Sequence, residues 1–293
     1  MKSDEITWRV KNDCIMVYIP YQQKSGWSQE FLLTSDIHID SKKCNRNLLK
    51  KHLSQLESKN AYWIDNGDMY DMMGGKYDKR STKADILPEL NTSKYFDSCN
   101  DFAINIIGQN AANRMICMAD GNHELSVVQR HEFNPLDRLQ SHFNANGANI
   151  IRQGYVGWIR FYFYRPIKKT SKDNVASGTH SFTMYRTHGN GGNAPVTKGI
   201  IQSARRQDIV AADIYTSGHI HTNATVPRPM WKLNQKGVVE MVEPLHHFIG
   251  TYKDSTWSTW ENMKGFAPPS IGGSWMKFHF ESGKMHVSFE RAV

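Results

Sequence analysis

Five short apolar runs in this chain each stop at a segment made of metal-ligating residue types. The runs are Phe31-Leu32-Leu33-Thr34, Ala61-Tyr62-Trp63-Ile64, Met115-Ile116-Cys117-Met118, Phe182-Thr183-Met184-Tyr185 and Ile214-Tyr215-Thr216. The segments that follow them are Asp36-Ile37-His38, Gly67-Asp68-Met69-Tyr70-Asp71, Gly121-Asn122-His123-Glu124, Thr187-His188-Gly189 and Gly218-His219-Ile220-His221. Short apolar or β-rich runs that end in Gly and polar residues read as buried strands. Ligand residues in α/β sheets gather beyond the carboxyl ends of strands, so five such ends can converge in space although they are far apart in the chain.

Between the strands, Leu49, Leu53 and Leu56 share one helical face, as do Cys99, Phe102, Ala103 and Ile106, and Leu136, Leu139 and Phe143. The chain therefore alternates α and β. Near its end, Met276, Phe278 and Phe280 alternate with polar residues, and so do Met285, Val287 and Phe289 after Glu281-Ser282-Gly283-Lys284, which predicts a β-hairpin with one buried face. With Ile15 to Tyr21 and Trp158 to Tyr164, the pattern predicts two sheets packed face to face and flanked by helices. No internal repeat and no long linker divides residues 1–293, which read as a single domain. Two stretches read as irregular insertions that could form a cap or substrate rim: 72–96, and 222–274 with Trp231, Trp257, Trp260 and the pair His246-His247. That His pair is a candidate substrate contact.

Composition narrows the class. With 39% hydrophobic, 22% charged and 11% aromatic residues, the chain is globular rather than disordered. Its net charge of +8 favours polyanionic partners, although the basic residues are dispersed and come no closer than pairs such as Lys42-Lys43 and Arg205-Arg206. Four scattered cysteines without a C-x-x-C pair fit a reducing cytoplasm. No run approaches the ~18 apolar residues of a spanning helix, so the expectation is a cytoplasmic protein without a membrane partner.

Carboxylate and amide oxygens mixed with imidazoles suit Mn, Fe, Zn or similar divalent ions, and the supply is enough for two centres sharing one carboxylate. Two such ions activate a water and hold both reacting oxygens of a phosphate during in-line displacement, so the chemistry suggested is phosphoester hydrolysis. A lone Asp-x-His or Gly-Asp-x-x-Asp is common by chance; five motifs in one order, each at a strand end, are not. Neither a Walker A loop nor an HExxH helix is present.

These residues resemble the calcineurin-like metallophosphoesterases, whose signature D-x-H, GD-x-x-D, GNH-(D/E), H and GH-x-H is matched in order from Asp36 to His221. More loosely, GGKYDKR, NPLDRL, HGNGG, GHIHTN and GTYKD resemble uncharacterised metallophosphoesterases of tailed phages and their bacterial hosts, which would place the protein in a host cytoplasm. The resemblance implies a four-layer αββα sandwich. It implies that Asp36, His38 and His221 bind one metal, that Asn122, His188 and His219 bind the other, and that Asp68 bridges them. Mn is the first expectation, with Fe, Zn, Ni or Mg as alternatives. His123 would protonate the leaving oxygen, with Asp71 holding its ring, while Glu124 is either a supporting residue or part of a turn.

Met72-Met73 stands where protein Ser/Thr phosphatases of this superfamily carry Arg-Gly, which argues against that activity. Tyr70 is one residue away from the tyrosine ligand of purple acid phosphatases, which argues against their iron centre. The expectation is a phosphodiesterase acting on nucleic acid or nucleotides through attack by a metal-bridging hydroxide. The alternatives are a phosphomonoesterase on a metabolite or a phosphorylated end, and a binding protein with a silent site.

Overall fold

The computed structural model describes residues 5–75, 86–166, 180–192, 200–254 and 267–293. Trp257, Trp260 and part of the 72–96 stretch lie outside them.

A six-stranded mixed sheet is built from β3 (Ser28–Thr34), β4 (Tyr62–Asp65), β5 (Met115–Ala119), β6 (Ile151–Gln153), β14 (Ser274–Glu281) and β15 (Lys284–Arg291), in the order β15-β14-β3-β4-β5-β6. A seven-stranded mixed sheet holds β1 (Thr7–Lys11), β2 (Cys14–Pro20), β7 (Val156–Tyr164), β8 (His180–Thr187), β9 (Ile214–Ser217), β10 (Ala224–Pro227) and β13 (Leu245–Phe248). Its order is β1-β2-β7-β8-β9-β13-β10. The short hairpin β11 (Met230–Leu233) and β12 (Val239–Val242) forms a separate two-stranded sheet.

The central strands β4 and β5 and the end of β3 are buried on both faces, which is why their sequences run apolar without alternation, whereas β14 and β15 alternate as the predicted hairpin. On β3, Phe31 and Leu33 enter the space between the sheets, while Leu32 faces the helices. The inter-sheet core centres on Phe31 and Phe278 of one sheet and Phe161 and Phe163 of the other, with ring centroids 4.9–5.1 Å apart for Phe31–Phe161, Phe161–Phe278 and Phe163–Phe278. Such aromatic pairs add about 0.5–1.5 kcal/mol each beyond their burial. On the other face, Trp63 and Met115 meet helices α1 (Arg46–Ser58), α2 (Tyr95–Ala112) and α4 (Pro135–Ala145) through Leu49, Leu53, Ala103, Ile107, Leu136 and Phe143. On α1 and α4 these are the predicted faces; on α2 Cys99, Ala103 and Ile107 are buried, while Phe102 and Ile106 of the predicted face are only partly buried. The Asn45 side chain caps α1 by accepting from Leu48 N, and Asn134 caps α4 by accepting from Leu136 N.

The two face-to-face sheets with flanking helices agree with the sequence reading. The outer layer on the seven-stranded sheet is thin: among the described residues it carries α5 (Ile200–Ile209), whose Arg206 reaches Ser217 on β9. The 222–274 stretch departs from expectation, because it contains β10 to β13 rather than irregular chain. No helix among the described residues is long and apolar enough to cross a membrane.

Candidate metal centre

Parallel strands β3, β4 and β5 point their carboxyl ends the same way, and so do β8 and β9 in the facing sheet. The chain leaves β3 through Asp36 and His38, β4 through Asp68, and β5 through Asn122 and His123. It leaves β8 through His188 and β9 through His219 and His221. The centre thus straddles the edges of two sheets, and Asn66 stitches them together: its Nδ2 donates to Thr187 O at 2.6 Å and its Oδ1 accepts from Thr216 Oγ1 at 3.4 Å.

Two clusters result. Asp36, His38 and His221 form one, and Asp68, His188 and His219 the other, with ligand atoms within 4.8 Å of one another in each. His221 Nε2 lies 3.2 Å from Asp36 Oδ1, and His188 Nε2 lies 3.1 Å from Asp68 Oδ2. Asn122 Oδ1 joins the second cluster, 3.1 Å from His188 Nε2 and 2.8 Å from His219 Nδ1. Asp68 also belongs to a third grouping with His38 and His123, so its carboxylate stands between the two centres.

The donor set fits divalent ions. Asp36 Oδ2 accepts from Ser35 Oγ at 2.6 Å and from His219 N at 2.8 Å, while Oδ1 is buried without a hydrogen bond. A buried carboxylate oxygen left bare among imidazole nitrogens is an arrangement a cation completes. The rings are also fixed at their outer nitrogens. His188 Nδ1 lies 3.1 Å from Asn66 O, which can only accept, so Nε2 faces the cluster. His38 Nδ1 lies 3.0 Å from Asp71 Oδ1, the carboxylate–imidazole arrangement that orients metal-binding histidines.

His123 takes a different position. Its Nδ1 lies 2.7 Å from the main-chain oxygen of Asp71, its Nε2 is 3.9 Å from Asp68 Oδ2, and the Asp71 carboxylate is 3.9 Å from the ring. Asp71 therefore holds His123 through its backbone and His38 through its side chain, and Lys253 Nζ closes on the same carboxylate at 3.2 Å.

Burial penalises charge throughout, yet the facing groups decide the outcome. Burial pushes Asp36 and Asp68 up, but His188 and His221 beside Asp36, and His188 and His123 beside Asp68, hold both below the usual carboxylate range. Burial likewise opposes a charge on His188, but Asp68 and Asp36 raise it to about 10. His38 goes the other way: burial, then the Lys253 ammonium, lowers it to about 4, leaving the neutral imidazole a metal ligand needs. Burial and His188 also lower His219.

Several residues outside the proposed ligand set hold the loops around the centre. Buried Glu124 accepts from Gly121 N, Tyr70 N and Asp68 N at 2.9, 3.0 and 3.1 Å, tying the loop after β4 to the start of α3 (Asn122–His131). Burial and the neighbouring Asp68 raise its carboxyl well above the ordinary range. Asp40 accepts from Asp71 N at 2.6 Å and Met72 N at 2.9 Å. Its only signal in the sequence was its place two residues after His38. Gly121 is demanded by proximity, since a Cβ there would lie 2.1 Å from Asp68 Oδ1.

The pair His246-His247 is not at the centre. His246 Nε2 meets Ser217 Oγ at 2.7 Å, and His247 bridges Thr225 Oγ1 and Ser274 Oγ at 2.9 and 2.7 Å. Both are buried on β13, where period-two alternation sends one to each face of the sheet. A substrate contact is thereby replaced by a structural role.

No protein-family model and no curated protein sequence matches the chain. Among solved structures it is similar to a metallophosphoesterase from Sphaerobacter thermophilus, at 12% identity over 91% of this chain and 89% of that one, with a TM-score of 0.37. It is also similar to a conserved uncharacterised protein (predicted phosphoesterase) from Streptococcus pneumoniae, at 12% identity, 92% of each chain and a TM-score of 0.31. A third such structure is Vps29 from Entamoeba histolytica complexed with zinc, at 11% identity over 90% of this chain and 100% of that one, with a TM-score of 0.32.

Proposed function

We propose that this chain is a calcineurin-like metallophosphoesterase that hydrolyses a phosphodiester of nucleic acid or nucleotides with two divalent ions. The observation that carries the reading is the meeting of Asp36, His38, Asp68, Asn122, His188, His219 and His221 at the joined edges of two sheets. Asp36, His38 and His221 would hold one ion, Asn122, His188 and His219 the other, and Asp68 both. When bound, the ions supply a nucleophilic water at neutral pH and neutralise the phosphate oxygens. The chain's own contribution is placement and proton transfer. His123, with Nδ1 pinned to a carbonyl that can only accept, presents Nε2 beside the shared carboxylate, where it would protonate the departing oxygen. The Asp71 carboxylate aims His38, while burial and the Lys253 ammonium keep it neutral. Preference for a diester on nucleic acid rests on the +8 charge, which draws a polyanion.

The test reloads metal-free protein with Mn and compares bis(p-nitrophenyl) phosphate with p-nitrophenyl phosphate, followed by labelled single- and double-stranded DNA. Faster diester cleavage supports the proposal. Faster monoester cleavage assigns a phosphomonoesterase instead, and failure to bind two ions per chain overturns the reading. Asp68→Asn should lose metals and turnover together. His123→Ala should keep two metals and lose turnover by about 10²- to 10⁴-fold; wild-type turnover in that variant removes His123 from the role of acid.

A further inference from the structure

The β11–β12 hairpin stands apart from both large sheets and turns an apolar face to solvent. Cross-strand pairing sets Trp231 opposite Met241 and Leu233 opposite Val239, all on one face by period-two alternation. Their exposures are 76%, 62%, 66% and 62%. Neither strand pairs with any other strand among the described residues. An isolated two-stranded hairpin is marginal in water unless its apolar face is covered, and a contiguous apolar face of this kind marks an interaction site.

We infer that this face is where two copies of the chain associate, hairpin against hairpin about a two-fold axis. Three observations select a second copy as the occupant. The first is charge: between Met230 and Glu243 the hairpin carries Lys232, Lys236, Glu240 and Glu243, a neutral set on a chain of net +8. A polyanion or an acidic partner is not selected there, and because Lys232 stands opposite Glu240 on the other side of the hairpin, two copies of the uncharged face meet without like-charge repulsion. The second is area: the four side chains offer on the order of 500 Å² per copy, or about 1,000 Å² for a pair, which reaches the lower bound of a specific interface.

The third is position. β10 runs antiparallel to β13, and β13 runs parallel to β9, whose end leads into His219 and His221. The hairpin therefore leaves the sheet at the end remote from the metal centre. There Arg228 N meets Pro244 O at 3.1 Å, and Leu245 N meets Asp213 O, just ahead of β9, at 3.1 Å. Two copies joined at that end leave both centres open.

Sedimentation velocity of the full chain from about 1 to about 100 μM should show a concentration-dependent species of twice the 33.6 kDa chain mass. The double variant Trp231→Ser/Met241→Ser should raise the dissociation constant about 30-fold or more, because a central Trp is the kind of anchor that dominates an interface. Its urea midpoint and metal content verify that it is folded. As a second readout on unaltered protein, amide exchange across 230–242 should accelerate as dilution dissociates the pair. A monomer at all concentrations overturns the inference. So does a dimer that the folded variant leaves intact, or amide protection of 230–242 that ignores concentration, which would mean the same chain covers the face.

Discussion

Lowering the pH should unfold this protein partly through a histidine that never touches the metal centre. His247 lies between the sheets with both ring nitrogens hydrogen-bonded and its ring stacked on Phe289 at 4.3 Å. Burial lowers it to about 3, against 6.5 for a free side chain. The folded state thus refuses a proton that the unfolded chain accepts. The associated stability is complete above about pH 6.5 and is lost as the pH falls from there through about 3. Between pH 7.5 and 5.0 the loss from this one residue is about 2 kcal/mol, a sizeable share of the ~5–15 kcal/mol typical of a folded chain. Other groups titrate as well, and His188, raised to about 10, works in the opposite direction over this range. They are common to wild type and His247→Gln, so they cancel in the comparison. Urea unfolding of both proteins at the two pH values, with chelator present, should give a pH-induced loss that is about 2 kcal/mol smaller in the variant. Equal losses in the two proteins would refute a neutral, buried His247.

Gly121→Ala should shed metal and destabilise by about 1–3 kcal/mol, since its Cβ would sit 2.1 Å from Asp68 Oδ1 and 2.4 Å from Asp68 N; metal analysis and a melt check both. Divalent ions at about 100 times their dissociation constant should raise stability by about 2.7 kcal/mol over the chelated protein, read as an upward shift of Tm that excess chelator reverses.

Much of the candidate metal centre was legible because its parts are local. Each ligand motif sits within a few residues of a strand end, and a buried strand announces itself by an apolar run. What could not be read is what acts across the chain. Asn66 and Asp40 support the centre through bonds to backbone groups that are 31 to 121 residues distant. A carboxylate bound to backbone N–H groups leaves no pattern in side-chain identities. The strands β10 and β13 were missed for a related reason. Ala224–Pro227 contains a proline, and Leu245–Phe248 contains two histidines, so neither reads as apolar, yet Pro227 lies on the edge strand, where a missing N–H is tolerated. The same feature misled the reading of His246-His247, whose burial depends on partners at Ser217, Thr225 and Ser274.

The ligand loops carry a conformational cost that the surrounding bonds must offset. Ten non-glycine residues have positive φ among the described residues, and five of them are Asp36, His38, Asp68, His219 and His221. Held conformations of this kind cost of order 1 kcal/mol or more each. They persist because neighbouring groups fix the backbone. Asp36 N donates to Gly67 O at 2.9 Å, His38 N to Asp68 O at 3.1 Å, and Tyr252 N to Asp36 O at 3.1 Å. The Thr251 hydroxyl donates to Asp36 O at 2.7 Å and accepts from Lys253 N at 2.9 Å, so one buried side chain anchors the most crowded ligand and the lysine facing Asp71. Thr251→Val keeps the shape and removes both bonds. It should destabilise by about 1–3 kcal/mol. It should also weaken metal binding by about 10-fold or more, because Asp36 is freed to relax from its positive φ. Calorimetric titration with Mn separates the two effects. Destabilisation with unchanged affinity would show that Thr251 supports only the fold and that the strained loop is held by its remaining bonds.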